Sequence, residues 1–292
     1  MTLKRRFFRA CKKGKDDKVK SILRKGIDVN VLDKYGVSAL MYVCIRGNKN
    51  LAEILLDAGA NANLTDRSGS TALMHSAVAG NIDLLRLLIN RGADVNYADI
   101  DGVNALMLSM VSEHFDVFKF LIDNGIDVNA VDNEGVSALH MASTLHLYDY
   151  VRCLVESGAD VNIKSNMSVT PLMLSSDSGN LEITRLLCDK GADVNLVSDD
   201  GTTALIQSAL KGHYELTKFL VKHGAYVNVR NNNGETALIL ASYCGYADIV
   251  KFLTDNGAAI NMLDESGYSA LDYAKSSGSE EVVNMLIELG AR

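Results

Sequence analysis

Short apolar runs at helical spacing alternate with polar turns along the whole chain. In residues 81–89 apolar side chains recur every three or four positions, which places them on one face of a helix. A shorter apolar run precedes this segment, and an extended stretch follows it from Gly92 to a polar turn at 99–102. The pattern predicts a unit made of a short helix, a turn, a longer helix and a hairpin.

This unit recurs every 33 residues, with no insertion or deletion from residue 26 to the end. A glycine after each longer helix keeps the interval, and so does a leucine in each short helix. The glycines are Gly26, Gly59, Gly92, Gly125, Gly158, Gly191, Gly224, Gly257 and Gly290. The leucines are Leu40, Leu73, Leu106, Leu139, Leu172, Leu205, Leu238 and Leu271. Self-similarity at a fixed period is the signature of a repeat architecture.

Each short helix is expected to begin after a residue whose side-chain oxygen can cap it. The eight capping positions are Ser38, Thr71, Asn104, Ser137, Thr170, Thr203, Thr236 and Ser269. Pro171, the one proline, directly follows a cap, where its missing N–H costs nothing. Aspartates that open the turns, such as Asp33 and Asp66, are expected to accept hydrogen bonds from backbone N–H groups.

These residues resemble the ankyrin repeat family. The resemblance rests on DRSGSTAL at 66–73, AGN at 79–81 and GADVN at 92–96, and it covers essentially the whole chain. It implies an all-α solenoid of stacked helix-turn-helix units with β-hairpin turns. One continuous array is expected, with an N-terminal capping repeat at 1–32, seven repeats over 33–263 that start at 33, 66, 99, 132, 165, 198 and 231, and a C-terminal capping repeat at 264–292.

Composition excludes several classes of protein. The chain has 292 residues, 48% hydrophobic and 22% charged, which is a globular composition. No apolar run reaches the roughly 18–20 residues of a membrane span, and no apolar stretch follows the basic start as in a secretory signal. The five cysteines are odd in number and contain no CxxC, so neither a disulfide framework nor a zinc site is expected. We expect a cytoplasmic monomer without a cofactor or metal.

Catalytic motifs are absent from the sequence. It contains no GxSxG, P-loop, GxGxxG or HExxH. The six histidines are spread along the chain, and the recurring aspartates have the turn role already given to them. The sequence therefore predicts a protein that is not an enzyme and has no catalytic residues.

Charge is distributed unevenly. Residues 1–32 contain 11 basic and 3 acidic residues, whereas 33–292 contain 18 basic and 33 acidic residues. The acidic body argues against a long nucleic-acid surface. The basic end leaves one alternative function open, an adaptor that contacts nucleic acid or an anionic membrane. It is otherwise a solvated capping helix, with Phe7 and Phe8 packed on the first full repeat.

The resemblance implies a non-catalytic scaffold that binds another protein on a concave face of hairpin tips and first helices. The expected contact residues are Tyr35, Val37, Arg46, Arg67, Ile100, Asp101, Val103, Val111, Glu134, Val136, Leu145, Met167 and Val169. Ile100, Val103, Val136, Met167 and Val169 are apolar at turn tips, where polar residues are usual. Apolar residues clustered on a surface mark a contact site, unless they pack on neighbouring hairpins.

Four positions near the middle depart from the repeat. Glu113 and His146 replace the glycine between the two helices, and Ser165 and Ser168 replace the aspartate and glycine of one turn. Departures in an otherwise regular protein are often functional. Drift of the sequence is the alternative explanation.

Overall fold

The computed structural model describes residues 2–292, which divide into two compact units between Ala138 and Leu139. Both units consist mainly of helices, and short turns connect consecutive helices. The first unit contains α1 (Leu3–Lys12), α2 (Asp16–Leu23), α3 (Ala39–Ile45), α4 (Lys49–Asp57), α5 (Ala72–Val78), α6 (Ile82–Asn90), α7 (Ala105–Val111) and α8 (Phe115–Asp123). The division falls after the first residue of α9 (Ala138–Thr144).

The second unit continues the same alternation of a short helix and a longer one. It contains α10 (Tyr148–Glu156), α11 (Pro171–Asp177), α12 (Leu181–Asp189), α13 (Ala204–Leu210), α14 (Tyr214–Lys222), α15 (Ala237–Cys244), α16 (Ala247–Asp255), α17 (Ala270–Ser277) and α18 (Glu280–Glu288). Between residues 2 and 292, no helix combines the length and the apolar content needed to cross a membrane.

The short helices begin where the sequence places their caps. The Ser38 hydroxyl accepts a hydrogen bond from the Met41 N–H at 3.2 Å, and the Ser38 N–H donates to the Met41 sulfur at 3.3 Å. A thioether thus takes the place of the usual carboxylate in a capping box, although sulfur is a weak acceptor. The expected caps are confirmed at Ser38, Thr71, Asn104, Thr170, Thr203, Thr236 and Ser269.

The longer helices end in glycines with left-handed backbone. Gly92 has a φ of 83°, a conformation that favours glycine because it has no Cβ. Its N–H donates to the Ile89 carbonyl, and the next N–H, of Ala93, donates to the Leu88 carbonyl, both at 3.0 Å. These bonds satisfy carbonyls that a helix end otherwise leaves unpaired.

Within each unit the core consists of thin layers of leucine and small residues. Leu40, Leu73, Leu205 and Leu238 of the short helices are almost fully buried. The N-terminal layer adds aromatic side chains: Phe7 and Phe8 are buried, and the Phe8 ring meets the Tyr42 ring edge-on at 5.9 Å. This contact confirms the expected packing of the N-terminal aromatic pair on the first full repeat.

The hairpins are closed by turn bonds rather than by extended strands. In the first unit the Asp66 N–H donates to the Ser70 carbonyl at 3.1 Å. The Asp66 carboxylate also accepts from the N–H groups of Ser68 and Ser70, at 2.9 and 3.1 Å. Because the carboxylate holds the turn, one bridge is enough to complete a hairpin. Single bridges occur at Thr65–Thr71, Ala98–Asn104, Val131–Ser137 and Leu263–Ser269.

An asparagine three residues before the turn-opening residue ties the hairpin-forming stretch to the end of the next longer helix. The Asn195 Nδ2 donates to the Gly224 carbonyl at 3.0 Å, and its Oδ1 accepts from the Tyr226 N–H at 2.8 Å. The same pair of bonds is made by Asn30, Asn63, Asn162, Asn228 and Asn261. The asparagine side chain therefore sets the spacing between neighbouring layers.

We expect Asn195→Ala to lower the free energy of unfolding by about 1–3 kcal/mol, because it removes both bonds and leaves their partners to water. The loss in free energy of unfolding for Asn195→Asp should be smaller than for Asn195→Ala, since aspartate keeps the acceptor for the Tyr226 N–H and loses only the donor to the Gly224 carbonyl. Urea unfolding followed by circular dichroism measures both. Asn284→Ala on exposed α18 is the control, with a change within about 0.5 kcal/mol. Equal effects at Asn195 and Asn284 would contradict the role of the asparagine bonds.

Candidate functional site

Backbone hydrogen bonds align the turn tips of the first unit. The Arg67 N–H donates to the Tyr35 carbonyl at 3.3 Å, and the Ile100 N–H donates to the Ser68 carbonyl at 3.0 Å. The Asn133 N–H continues the series to the Asp101 carbonyl at 2.9 Å. The main-chain bonds do not depend on the type of tip side chain, and the Asn133 Nδ2 adds a further bond to the Ile100 carbonyl at 2.9 Å.

The expected contact residues fall into two groups by burial. Asp99 accepts hydrogen bonds from the N–H groups of Asp101 and Val103, at 3.0 and 2.9 Å, which closes this turn. The residue after the turn glycine, or after Ser168 in its place, is half-buried at Val37, Val103, Val136 and Val169. The other expected residues are exposed: Tyr35, Arg46, Arg67, Ile100, Asp101, Val111, Glu134, Leu145 and Met167. Ile100 (64%) and Met167 (68%) therefore offer far more contact area than the valines.

The C-terminal ends of the short helices add a second apolar row to the first unit. α3, α5 and α7 end at Ile45, Val78 and Val111, which occupy one position of the repeat and are all exposed. The expected set includes Val111 but not Ile45 and Val78. Their spacing of 33 residues is the signal that would have added them.

Positive charge flanks this row toward the N-terminus. Arg46 follows Ile45, Arg67 lies at the next tip, and the Lys34 ammonium lies 4.6 Å from the centre of the Tyr35 ring. Asp101 and Glu134 give the two later tips of the first unit negative charge. The face of this unit thus changes from basic to acidic along the chain.

In the second unit the expected apolar residues are Leu145, Met167 and Val169. Leu145 follows α9 and is 51% exposed. The Ser165 hydroxyl accepts from the N–H groups of Met167 and Val169 at 3.3 and 3.2 Å, so it takes over the role of the usual turn aspartate. Met167 consequently stays at the tip while Val169 is partly covered.

An aromatic group at the end of the second unit lies outside the thirteen expected contact residues. Tyr243 and Tyr268 are each about half exposed. Their rings meet the Tyr273 ring edge-on at 5.7 and 6.2 Å. The Tyr273 hydroxyl donates to Asp264 at 2.8 Å, and this bond raises the pKa of Tyr273 to about 12. Tyr243 and Tyr268 occupy the repeat positions of Ile45 and Val37, which is the feature of the sequence that assigns them to this face.

One histidine–aspartate pair has the composition of an acid–base site but a structural position. His75 Nε2 lies 3.2 Å from Asp66 Oδ2. At the equivalent place the Tyr42 hydroxyl donates to Asp33 at 2.6 Å, and the Tyr273 hydroxyl donates to Asp264. All three pairs brace a turn against a short helix. Among residues 2–292, no group of histidine, cysteine and acidic side chains is arranged to hold a metal ion.

The departures from the repeat carry backbone strain. Glu113, His146 and Ser168 have φ values of 59°, 60° and 57°, where the other repeats place glycine. Glu113 follows the Val111 helix end by two residues, and Ser168 directly follows Met167. A left-handed non-glycine residue costs roughly 1–2 kcal/mol, so both of these apolar residues lie beside strained backbone.

Family models match most of the chain. A model described as ankyrin repeats (3 copies) matches residues 7–99, 96–165 and 159–231, and one described as ankyrin repeats (many copies) matches 220–274. No curated protein matches the chain.

We expect Glu113→Gly to raise the free energy of unfolding by about 0.5–1 kcal/mol, because the relief of strain exceeds the added freedom of the unfolded chain. Gly278→Ala is the matched inverse change. Gly278 occupies the same repeat position with a φ of 75°, and an added Cβ would meet nothing within 4 Å. It should destabilise by about 1 kcal/mol. Stabilisation by Gly278→Ala, or destabilisation by Glu113→Gly, in thermal unfolding would overturn this account of the strain.

Proposed function

Because the chain belongs to the ankyrin repeat family, whose repeats are generally protein–protein interaction modules, we propose that it is a scaffold that binds a partner protein on its turn tips and short-helix ends. Proteins of this family are typically non-catalytic. We assign the chain no reaction of its own. The proposed binding face in each unit consists of exposed side chains that do not stabilise the repeat.

The observation that carries the proposal is the placement of exposed apolar side chains. Within residues 2–292, fifteen large apolar or aromatic residues are exposed, and nine of them lie at turn tips or beside short-helix ends. They are Tyr35, Ile45, Val78, Ile100, Val111, Leu145, Met167, Tyr243 and Tyr268. Apolar side chains concentrated on one face mark contact surfaces, whereas single scattered ones are ordinary.

Charge gives the proposed face selectivity. In the first unit the basic residues Arg46 and Arg67 precede Asp101 and Glu134 along the tips. Charges around an apolar centre add specificity and speed of association more than affinity. A partner that presents acidic groups toward the N-terminal tips is therefore favoured over one with the opposite arrangement.

We expect two paired changes to weaken binding of a captured partner by tenfold or more each. One pair is Ile100→Ser with Val111→Ser, and the other is Leu145→Ser with Met167→Ser. Loss of a buried contact residue costs on the order of 1–2 kcal/mol, and 1.4 kcal/mol is a factor of ten. The partner is first identified by cross-linking and mass spectrometry, and its dissociation constant is then measured by isothermal titration calorimetry.

The control pair is Ile287→Ser with Leu289→Ser, two residues that are 52% and 43% exposed and lie on and directly after α18, away from the tips and short-helix ends. Their replacement should change affinity less than twofold. Circular dichroism verifies that all three pairs remain folded. If the control weakens binding as much as the face pairs do, the partner binds elsewhere and the proposed face is wrong.

A second candidate function rests on the basic N-terminal helices. Residues 2–32 contain 11 basic side chains, none of which forms an ion pair with any residue in the described range 2–292. Five of them line one open cleft beside α1 and α2: Arg6, Arg9, Lys13, Lys15 and Lys18. Unpaired cations on one surface attract polyanions. This supports an adaptor that contacts nucleic acid or an anionic membrane.

Salt titration tests the second candidate. Binding to phosphatidylserine vesicles or to duplex DNA should fall steeply between about 50 and 300 mM NaCl, because dissolved cations compete with the basic side chains for the anionic surface. Changing Lys4, Arg5, Arg6, Arg9, Lys12 and Lys13 to glutamine should abolish it. Six matched changes in the second unit, at Arg152, Arg185, Lys190, Lys218, Lys222 and Lys251, should not. No binding at low salt would remove this candidate.

A further inference from the structure

A small cleft in the second unit brings two of the expected contact residues together with carboxylates. Its volume is about 180 Å³. It is lined by Met167, Val169, Met173, Leu174, Asp177, Ser198, Asp200, Thr202 and Gln207. It lies between two consecutive turns and the short helices that follow them, which are α11 and α13.

Backbone bonds and buried side chains build this cleft. The Asp199 N–H donates to the Met167 carbonyl at 3.0 Å, which holds the two turns side by side. Met173 is buried and Leu174 is half-buried on α11, so they give the cleft an apolar wall. Met167, which is 68% exposed, forms the outer edge. An apolar wall of this kind takes methylene groups.

The polar side of the cleft is negatively charged. The Ser198 hydroxyl and the Thr202 N–H both donate to Asp200 Oδ1. These bonds, chiefly the one from Ser198, hold the pKa of Asp200 below its usual value, so the carboxylate is ionised at neutral pH. No basic residue within the described part of the chain pairs with Asp200. Asp177 lies 3.4 Å from Lys211, in an ion pair whose two side chains are substantially exposed.

The size of the cleft selects a single side chain. Pockets for small molecules measure about 300–1,000 Å³, and this cleft is smaller. Gln207 adds an amide that makes no hydrogen bond to other residues of the described chain. The occupant must combine a long apolar stem with a cationic end that can donate hydrogen bonds to the carboxylates of Asp177 and Asp200.

We propose that this cleft binds a lysine side chain presented by a partner protein, with its methylene groups on Met167, Val169 and Met173 and its ammonium group at Asp177, Asp200 and Gln207. The inference rests on the proposed scaffold function and names the chemistry of the partner at one place on the second unit. The second unit contains 19 acidic and 11 basic residues, which also favours a basic partner.

Lysine fits the carboxylates better than arginine does. An arginine fork is best matched by a carboxylate edge with both oxygens available. In Asp200 one oxygen already accepts two hydrogen bonds, and in Asp177 one oxygen faces Lys211. Each carboxylate therefore offers a point contact. A compact ammonium with three donors suits three separate acceptors.

Methionine methyl NMR on the full chain tests the proposal. The protein is labelled at the methionine ε-methyl groups, and Met167 and Met173 are assigned by replacing each with leucine. The probe is acetyl-Gly-Lys-Gly-amide, compared with the same peptide carrying norleucine or glutamate. We expect a saturable shift of the Met167 and Met173 signals with the lysine peptide, at concentrations on the order of millimolar because one side chain is a weak ligand. The norleucine and glutamate peptides should bind at least fivefold more weakly.

Two charge-neutralising variants separate contact from general attraction. Asp200→Asn keeps an acceptor for the Ser198 and Thr202 bonds and should weaken the lysine peptide about three- to tenfold. Asp199→Asn removes the same charge from the adjacent exposed residue, which does not line the cleft, and should change the affinity less than twofold. The proposal is overturned if the lysine and norleucine peptides shift Met167 equally, if neither does, or if the two variants have the same effect.

This result is distinguishable from failure of the scaffold function. If the lysine peptide fails while a captured partner still loses affinity with Leu145→Ser and Met167→Ser, only the lysine assignment is wrong. If the lysine peptide binds as expected while the affinity of the partner is unchanged by every substitution at the turn tips, the cleft binds lysine and the proposed binding face is wrong.

Discussion

The asparagine that joins each hairpin-forming stretch to the end of the next longer helix is the interaction on which the other features depend. At Asn63 and Asn195 one side chain donates to a glycine carbonyl and accepts from the N–H two residues later. Because both the donor and the acceptor of the side chain are bonded, the two bonds together fix the separation and the register of neighbouring layers. A change of one residue in the repeat length would break both bonds, which explains why the 33-residue interval has no exception.

Layers that are fixed by the main chain and the asparagines leave many side chains at the tips free to vary. The bond from the Ile100 N–H to the Ser68 carbonyl involves only backbone atoms, and the Asn133 side chain adds a bond to the Ile100 carbonyl at the next tip. The exposed side chains of Ile100 and Met167 make no such bond and contribute little to stability. The His75–Asp66 pair shows the converse, because its equivalents at Tyr42 and Tyr273 reveal a bracing role where the residue types alone suggest chemistry.

Most of the fold could be predicted from the sequence because the same capping and turn residues recur at fixed positions in successive repeats. Caps such as Ser38 and turn aspartates such as Asp66 act through neighbours within four residues, and the structure confirms both. The exposure of the expected contact residues was harder to predict. Val103 and Ile100 are both apolar tip residues, yet Val103 is half-buried and Ile100 is exposed. Tyr268 lies at the repeat position of Val103 and its N–H makes the same bond to a turn aspartate, yet it is exposed, so this bond does not set the burial of the side chain. The hydrogen bond from the Ser38 N–H to the Met41 sulfur does not follow from the sequence, because a thioether is a weak acceptor that is not expected in a capping box.

The cleft beside Met167 could not be derived from spacing, because it arises from a substitution and from two layers together. Ser165 closes its turn with a hydroxyl instead of a carboxylate, and this removes a negative charge beside Met167. The next turn opens with Ser198, whose hydroxyl bonds to Asp200 and orients that carboxylate. The two serines thus shift the negative charge from the interior of the turns to Asp200 at the rim of the cleft. In a turn that opens with aspartate, such as the Asp66 turn, the opening carboxylate accepts the backbone N–H bonds. In the turn that opens with Ser198, Asp200 accepts the Thr202 N–H with one oxygen and, in the proposed complex, offers the other oxygen to the ammonium group.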